Sequence, residues 1–432
     1  MFFKNRQQIF YIFIILLKID FSFAQPLSLS YFDHELQKIA YDAGFEWNEL
    51  SSIISDRDDG SSYINNYLGL YFYNAKTYLL GYGKGVYKNN FFAFFDSKIT
   101  YLQDVFRGSE TSGFGFKNNW VLLQISNGKE DWGSGEDISL ALSEDSDAYD
   151  YILVSSDYGN FRVSYIHGFL ETLDNDFNRY INGRGFEWSN KKSFILSFTE
   201  TIIYSGYKRS LDFGYLNPMS SHLEVELNDR LNINGVGSAN AVWQVHFDCL
   251  INNRSRFSAN YLFDEFVFDP DIEIGKEHGK AYSLRYAFSI ISDKNKLINI
   301  YLNKIYVGTP TLRHGDGLNN FVNNNKPLGW KYGSDSDKIS IGSRFSNNKN
   351  IIFNLNYGFL RSGEETILSR FYDPYADYKK GLFPSGNIIK SHIIDFAFQY
   401  LSSKNISVLF KGELVVKNYS KLSVSLIKFN LF

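Results

Sequence analysis

The chain has 432 residues, including 40 Phe, 31 Tyr and 6 Trp against one Cys, two Met and seven Pro. That aromatic load excludes a disordered chain, and the lone Cys249 excludes a disulfide framework or a Cys-rich zinc site. Charged residues make up 21% and the net charge is −3, so the basic excess of a nucleic-acid binder is absent.

Residues 1–24 read as a secretory signal peptide. Lys4 and Arg6 precede an apolar run from Ile9 to Leu17, and Ser22 and Ala24 place small residues at a cleavage site. The run is far short of the roughly 20 residues a membrane span needs, and Lys18 and Asp20 close it. Residues 25–62 are expected to form a short periplasmic helical segment. Asp33 caps a helix with Leu36, Ile39 and Ala40 on one face and Gly44 at its end, and a second helix follows through Trp47, Leu50 and Ile54. Asp56-Arg57-Asp58-Asp59-Gly60 lacks the later acidic ligand of a calcium loop and reads as a solvated linker.

From residue 63 to 432 the period becomes two. At 240–251, Ala241, Trp243, Val245, Phe247, Cys249 and Ile251 share one face, with Gln244, His246 and Asp248 opposite. The same dyad recurs at 256–264, 281–291, 351–360, 391–400 and 406–416. Short polar turns near 158, 190, 253, 294, 348 and 403 alternate with long connections at 207–239, 265–279, 308–336 and 368–390. That alternation predicts an all-β fold: a transmembrane antiparallel β-barrel of about 16–18 strands, with tight periplasmic turns and long outer loops. About fourteen strands are expected from residue 136 onward, and 66–126 has room for four more. Lys421 to Phe432 fits a closing strand with a terminal aromatic residue. Its apolar phase shifts between Leu426 and Ile427, which predicts a bulge or a frayed end.

In hydrocarbon each unpaired backbone group costs several kcal/mol, so such a sheet must close on itself. Lipid then takes the apolar face, and Arg256, Asp264, Arg285, Arg344, Asp395, Lys411 and Glu413 are expected to point inward. One Arg or Lys facing lipid at mid-bilayer would cost about 2–4 kcal/mol. No Gly-x-Ser-x-Gly elbow, His-Glu-x-x-His pair, phosphate-cradling glycine loop, or metal or cofactor motif is present, and the chain reads as a non-enzyme. His246 on the luminal face would need a neighbouring Ser to serve a hydrolase.

Four segments carry a resemblance to a family. They are Asp131-Trp132-Gly133-Ser134-Gly135 with Ser139-Leu140-Ala141-Leu142-Ser143; Arg179 through Gly183, Arg184 and Glu187, followed by Glu200, Tyr204 and Tyr215-Leu216-Asn217-Pro218; Asp264-Glu265-Phe266; and Lys326-Pro327-Leu328-Gly329, with Gly333 to Asp337 and Arg361-Ser362-Gly363-Glu364. In order and spacing they resemble the motifs of Wzi-type capsule assembly proteins, with Ser134 in place of the usual Pro. The resemblance implies a barrel of about eighteen strands behind a small periplasmic helical portion, and a lectin-like role in holding capsular or exopolysaccharide at the cell surface. The implied partners are that polysaccharide, outer-membrane lipid and the barrel insertion machinery.

Aromatic faces stack on pyranose rings and Arg holds carboxylates bidentately. The candidate polysaccharide-binding residues are therefore Trp132, Arg179, Arg184, Glu200, Tyr215, Asn217, Asp264, Arg285, Trp330, Asp335, Asp337 and Arg344, with Tyr332, Tyr372 and Tyr375 as further loop aromatics. A bracing role competes throughout: luminal Arg and Asp pair across barrels, and Gly133, Gly135, Gly183 and Gly329 serve turns or close approach. The alternative function is a porin or solute-specific channel, which shares the barrel.

Overall fold

The computed structural model describes residues 63–429 except 74–75, 89, 101–110, 119, 191–192, 223–224, 226–238, 253, 265–274, 276, 293–295, 316, 348–350, 370–380, 403–405 and 417–418. The expected signal peptide, the helical segment at 25–62, Glu265, Phe266, Tyr372, Tyr375 and the terminal Phe432 lie outside these residues.

The first strands are β1 (Tyr63–Tyr73), β2 (Lys76–Tyr87), β3 (Phe91–Thr100), β4 (Thr111–Lys117) and β5 (Val121–Gly128). Next come β6 (Tyr149–Asp157), β7 (Phe161–Leu173), β8 (Phe177–Ser189), β9 (Phe194–Tyr207), β10 (Ala239–Asn252), β11 (Ser255–Phe263), β12 (Lys280–Ser292) and β13 (Lys296–Val307). A two-residue ladder of β14 (Val322–Asn323) and β15 (Lys326–Pro327) sits within a loop. The wall resumes with β16 (Ser336–Asn347), β17 (Ile351–Ser362), β18 (Ile389–Ser402), β19 (Ile406–Val415) and β20 (Tyr419–Phe429). Each wall strand pairs antiparallel with its sequence neighbours, and β20 pairs with β1, so the 18-stranded sheet closes without an edge. Closure satisfies the backbone where lipid offers no partners.

The strand number agrees with the expectation, but its partition differs: five strands precede residue 129 and thirteen follow residue 148. The segment at 136–143 is no strand, because Ile138, Leu140, Ala141 and Leu142 are all fully buried and it has no wet face. Among the described residues β20 shows no bulge. It pairs in continuous register with β1 and β19, and exposed Lys428 lies opposite Leu68 on the outer face near the strand end. A lysine there reaches the interface by its long stem.

Connections after even-numbered wall strands in the count, at 88–90, 118–120, 158–160, 190–193, 253–254, 293–295, 348–350 and 403–405, are all two to four residues long. The long ones, 101–110, 129–148, 208–238, 264–279, 308–335 and 363–388, gather at the other end. Leu68, Leu70 and Phe72 of β1, Phe91 and Phe95 of β3, Phe114 of β4, and Ile339 and Ile341 of β16 are exposed on the outer face. The outward pairs Phe91–Phe116 and Trp188–Phe194, with exposed Trp120 and Tyr158, make an aromatic belt at the short-turn end.

Candidate functional site

Two long loops from the same end fold into the lumen and meet there. Trp132, Ile138, Leu140 and Leu142 of 129–148 pack with Leu312, Phe321, Leu328 and Trp330 of 308–335 in one buried cluster. Trp330 N donates to Leu140 O (3.1 Å), Ser143 N to Leu328 O (2.9 Å) and Ser143 Oγ to Gly329 O (2.7 Å). A Cβ on Gly329 would lie 1.8 Å from Leu140 O, so glycine is what permits this approach.

Polar side chains of the wall hold the first loop. Ser134 N donates to Asn260 Oδ1 (2.7 Å), Asn260 Nδ2 returns a bond to Ser134 O (2.8 Å), and Ser283 Oγ donates to Ile138 O (2.6 Å). Beyond them Glu136 accepts from Arg344 and lies 3.5 Å from Arg285, whose guanidinium sits 3.9 Å over the Tyr301 ring. Both arginines are fully buried, a burial that requires a paired carboxylate. Arg179 performs the same service for the second loop. It donates to the carbonyls of Leu318 (2.6 Å), Asn320 (2.5 Å) and Val322 (2.7 Å) and pairs with Glu171 at 2.5 Å.

Acidic candidates tie the remaining loops to this plug. Asp264 accepts from Leu312 N. Asp335 accepts from Thr309 Oγ1 (2.8 Å), Ser385 N (2.9 Å) and Glu365 N (3.2 Å), drawing in 363–388. Asp337 takes Lys304 and both ends of the Arg361 fork (2.8 and 2.9 Å), but by strand register these three sit with Ile339 on the outer face of the wall near its long-loop rim, not in the lumen. At the mouth Lys331 Nζ donates to Glu413 Oε2 at 2.6 Å. Burial pulls that amine's pKa down, but Tyr332, Glu413 and Asp395 outweigh it and leave it above the ordinary lysine range.

Arg184, Glu200, Tyr215 and Asn217 are elsewhere. By strand register Arg184, Glu200 and Trp243 are neighbours on the outer face, not the lumen. There Arg184 Nε lies 3.4 Å from Glu200 Oε2, and Trp243 Nε1 donates to Glu200 Oε1 (3.0 Å). The chain after β9 descends over this face. Its one-turn helix Phe213–Leu216 is capped by the Asp212 side chain, and it lays Tyr215 on Tyr204 with ring centroids 4.6 Å apart. Asn182 Nδ2 and Tyr165 Oη both donate to Tyr215 O (3.0 and 2.8 Å), and His222 N donates to Glu200 Oε1 (3.2 Å). Burial, with Arg184 and His314 nearby, lowers the His222 pKa to about 4, so its imidazole is neutral. Asn217 closes the turn by accepting from Met219 N (3.1 Å). The charged pair is thus shielded by protein, and the lipid-facing residues of this sector, Phe186, Leu196, Phe198 and Val245, begin below it.

The candidates therefore divide into a luminal set and an outer-face set, and the rings of Trp132, Tyr215 and Trp330 are buried in packing. Sequence reading missed Glu136 and Asn260, the partners that make the luminal set cohere. The signal for Glu136 was present: an acid inside a glycine-bounded apolar segment needs a cation. His246 pairs with Thr199 Oγ1 (3.0 Å) and Asn260 Oδ1 (2.8 Å). A third grouping was also missed. The inward residues of β1–β3 include Tyr67, Tyr71, Tyr73, Tyr78 and Tyr82.

Among solved structures the chain is similar to Wzi of Escherichia coli, described as an outer-membrane protein involved in group 1 capsule assembly and a carbohydrate-binding β-barrel. The TM-score is 0.62 at 11% identity, over 84% of this chain and 83% of that one. OccK8 (OprE) of Pseudomonas aeruginosa gives 0.49 at 8% identity, over 86% and 98%, and OprD of the same organism gives 0.46 at 10%, over 88% and 98%. No family model and no curated protein matches the chain. At these identities what is shared is the fold, a closed antiparallel barrel of the outer-membrane kind.

Proposed function

We propose that the protein binds capsular or exopolysaccharide at the bacterial outer membrane, holds it at the cell surface, and performs no bond chemistry. The observation that carries this reading is the interlocked plug: loops at 129–148, 308–335 and 363–388 joined to each other and pinned by Arg179, Glu136 and Asp335. A lumen crossed by a buried core suits a barrel that presents a fixed surface better than one that passes solutes. The fold likeness to a carbohydrate-binding barrel points the same way. In this reading residues 1–24 direct export, 25–62 form a periplasmic helical segment, lipid meets the outer face, and the barrel insertion machinery places the chain in the membrane. The charged candidates act by bracing the loops that shape the binding surface.

Deletion of the protein should release polymer into the medium and deplete it from cells. Unchanged surface retention would defeat the reading. The second reading, a solute-specific channel, is favoured by one observation: the inward faces of β2 and β4 are half-open, unlike those of β7–β16. Large, steady single-channel steps in planar bilayers would favour it.

A further inference from the structure

The plug fills the lumen unevenly. Inward residues on the far wall, such as Arg179, Ser283, Arg285, Asn299 and Arg344, are buried under the two inserted loops. The inward residues of β1–β4 behave differently. Register and the outward exposure of Leu68, Leu70, Phe72, Leu79, Phe91, Phe95 and Phe114 place Tyr71, Tyr78, Tyr82, Phe92, Phe94 and Lys98 on the luminal side, and each is half-buried.

These side chains form three aromatic groups spaced along the strands. Phe92 and Phe94 lie with rings 6.3 Å apart and 19° from parallel. A Cβ on Gly115 would meet the Phe92 ring at 2.6 Å, and one on Gly113 the Phe94 ring at 3.0 Å, so the two glycines let both rings lie against β4. Tyr67 and Tyr82 stack at 5.3 Å and 9°. Nearer the long-loop end Tyr71 lies 5.6 Å from Tyr78 and 6.1 Å from Tyr73. Lys98 Nζ sits 3.8 Å from the Tyr71 ring centroid and 5.3 Å from that of Tyr78. Among the described inward residues of β1–β4 the cations are Lys76, Lys84, Lys98 and Lys117, against Asp96, which accepts from Tyr67 Oη (3.1 Å). Within the plug Glu136 pairs with two arginines and Arg313 with Glu365. The described inward residues of β1–β4 thus carry four lysines against one aspartate.

We propose that the luminal face of β1–β4 is a saccharide site for an acidic glycan, a deepening of the proposed function that rests on it. Aromatic faces spaced along a strand suit successive pyranose rings, whose C–H faces are apolar, and the lysines supply partners for uronate carboxylates. Lys98 joins the two functions, because a cation over a ring face also meets a carboxylate carried by the sugar stacked there.

The test uses the full-length protein in detergent, titrated with labelled tetragalacturonate and with neutral cellotetraose. Tyr71→Ala with Tyr78→Ala should weaken binding of the acidic tetramer about tenfold. Tyr71→Phe with Tyr78→Phe, which keeps both rings, should stay within about twofold. Lys98→Met should lower affinity for the acidic tetramer about threefold and leave the neutral one unchanged. Phe114→Ala, on the outer face of β4, serves as the control, and heat-modifiable migration reports folding of every variant. The proposal is overturned if the folded double-alanine variant binds as the unsubstituted protein does, or if the unsubstituted protein does not prefer the acidic tetramer. Polymer loss on gene deletion combined with an insensitive wall would place the site elsewhere and leave the proposed function standing. Unchanged polymer retention would remove both.

Discussion

Replacing Arg179 with Met should free the second loop from the barrel wall. The buried guanidinium bonds three carbonyls of 308–335 and the Glu171 carboxylate, while methionine keeps much of the stem's packing and none of the donors. Removing one member of a buried, hydrogen-bonded charge pair costs about 3–5 kcal/mol. The wall is held by its own ladder, so that cost falls on local opening of the loop and not on the whole barrel. The population with the loop released should rise by more than about a hundredfold. Hydrogen exchange reads this directly at Phe321 N, bonded to Leu312 O at 3.0 Å, at Leu328 N, bonded to Phe321 O at 2.9 Å, and at Trp330 N. Amides of β8 and β9 should be unaffected. Arg179→Lys, which keeps the charge but not the fork, should fall between. If exchange at these three amides changes by less than about threefold, the anchoring role assigned to Arg179 is wrong.

Three further outcomes follow from the same geometry. Glu136→Ala leaves Arg285 and Arg344 buried without their carboxylate and should cost about 3–5 kcal/mol of loop docking, seen as faster hydrogen exchange at Ser134 N, bonded to Asn260 Oδ1; unchanged exchange there would refute the pairing. Gly329→Ala puts a methyl group onto the Leu140 carbonyl, so the two inserted loops must part and single-channel conductance should become larger and noisier; a trace like the parent's would argue against close contact. His222 is buried and neutral with a pKa lowered to about 4, so its contribution to docking the 208–222 segment is complete above the ordinary histidine value of 6.5. It is lost as pH falls through the window down to about 4, at most about 3 kcal/mol. Proteolysis of that segment should quicken between pH 7 and pH 5, and His222→Gln should flatten the response; equal cleavage rates at both pH values would count against it.

Period-two patterning made the barrel legible, because lipid on one side and a wet lumen on the other act on each residue through its immediate strand neighbours. Leu284, Tyr286 and Phe288 face out and Ser283, Arg285 and Ser289 face in, as the dyad implies. The same logic began the second group of strands at residue 136, whereas 129–148 is a loop whose apolar residues fill the plug. It also could not show that Arg184 and Glu200 face outward, since their shield comes from a segment that follows β9 and returns over the wall.

Thus the amino-acid sequence by itself determined the wall: a closed sheet, which of its faces meet lipid, and one set of short turns. The tertiary structure alone decided which loops enter the lumen and which residues they bind. The contact of Ser134 with Asn260 spans 126 positions and that of Glu136 with Arg344 spans 208. Such pairings leave no local periodicity, because they arise only after closure has brought opposite walls within reach of one loop.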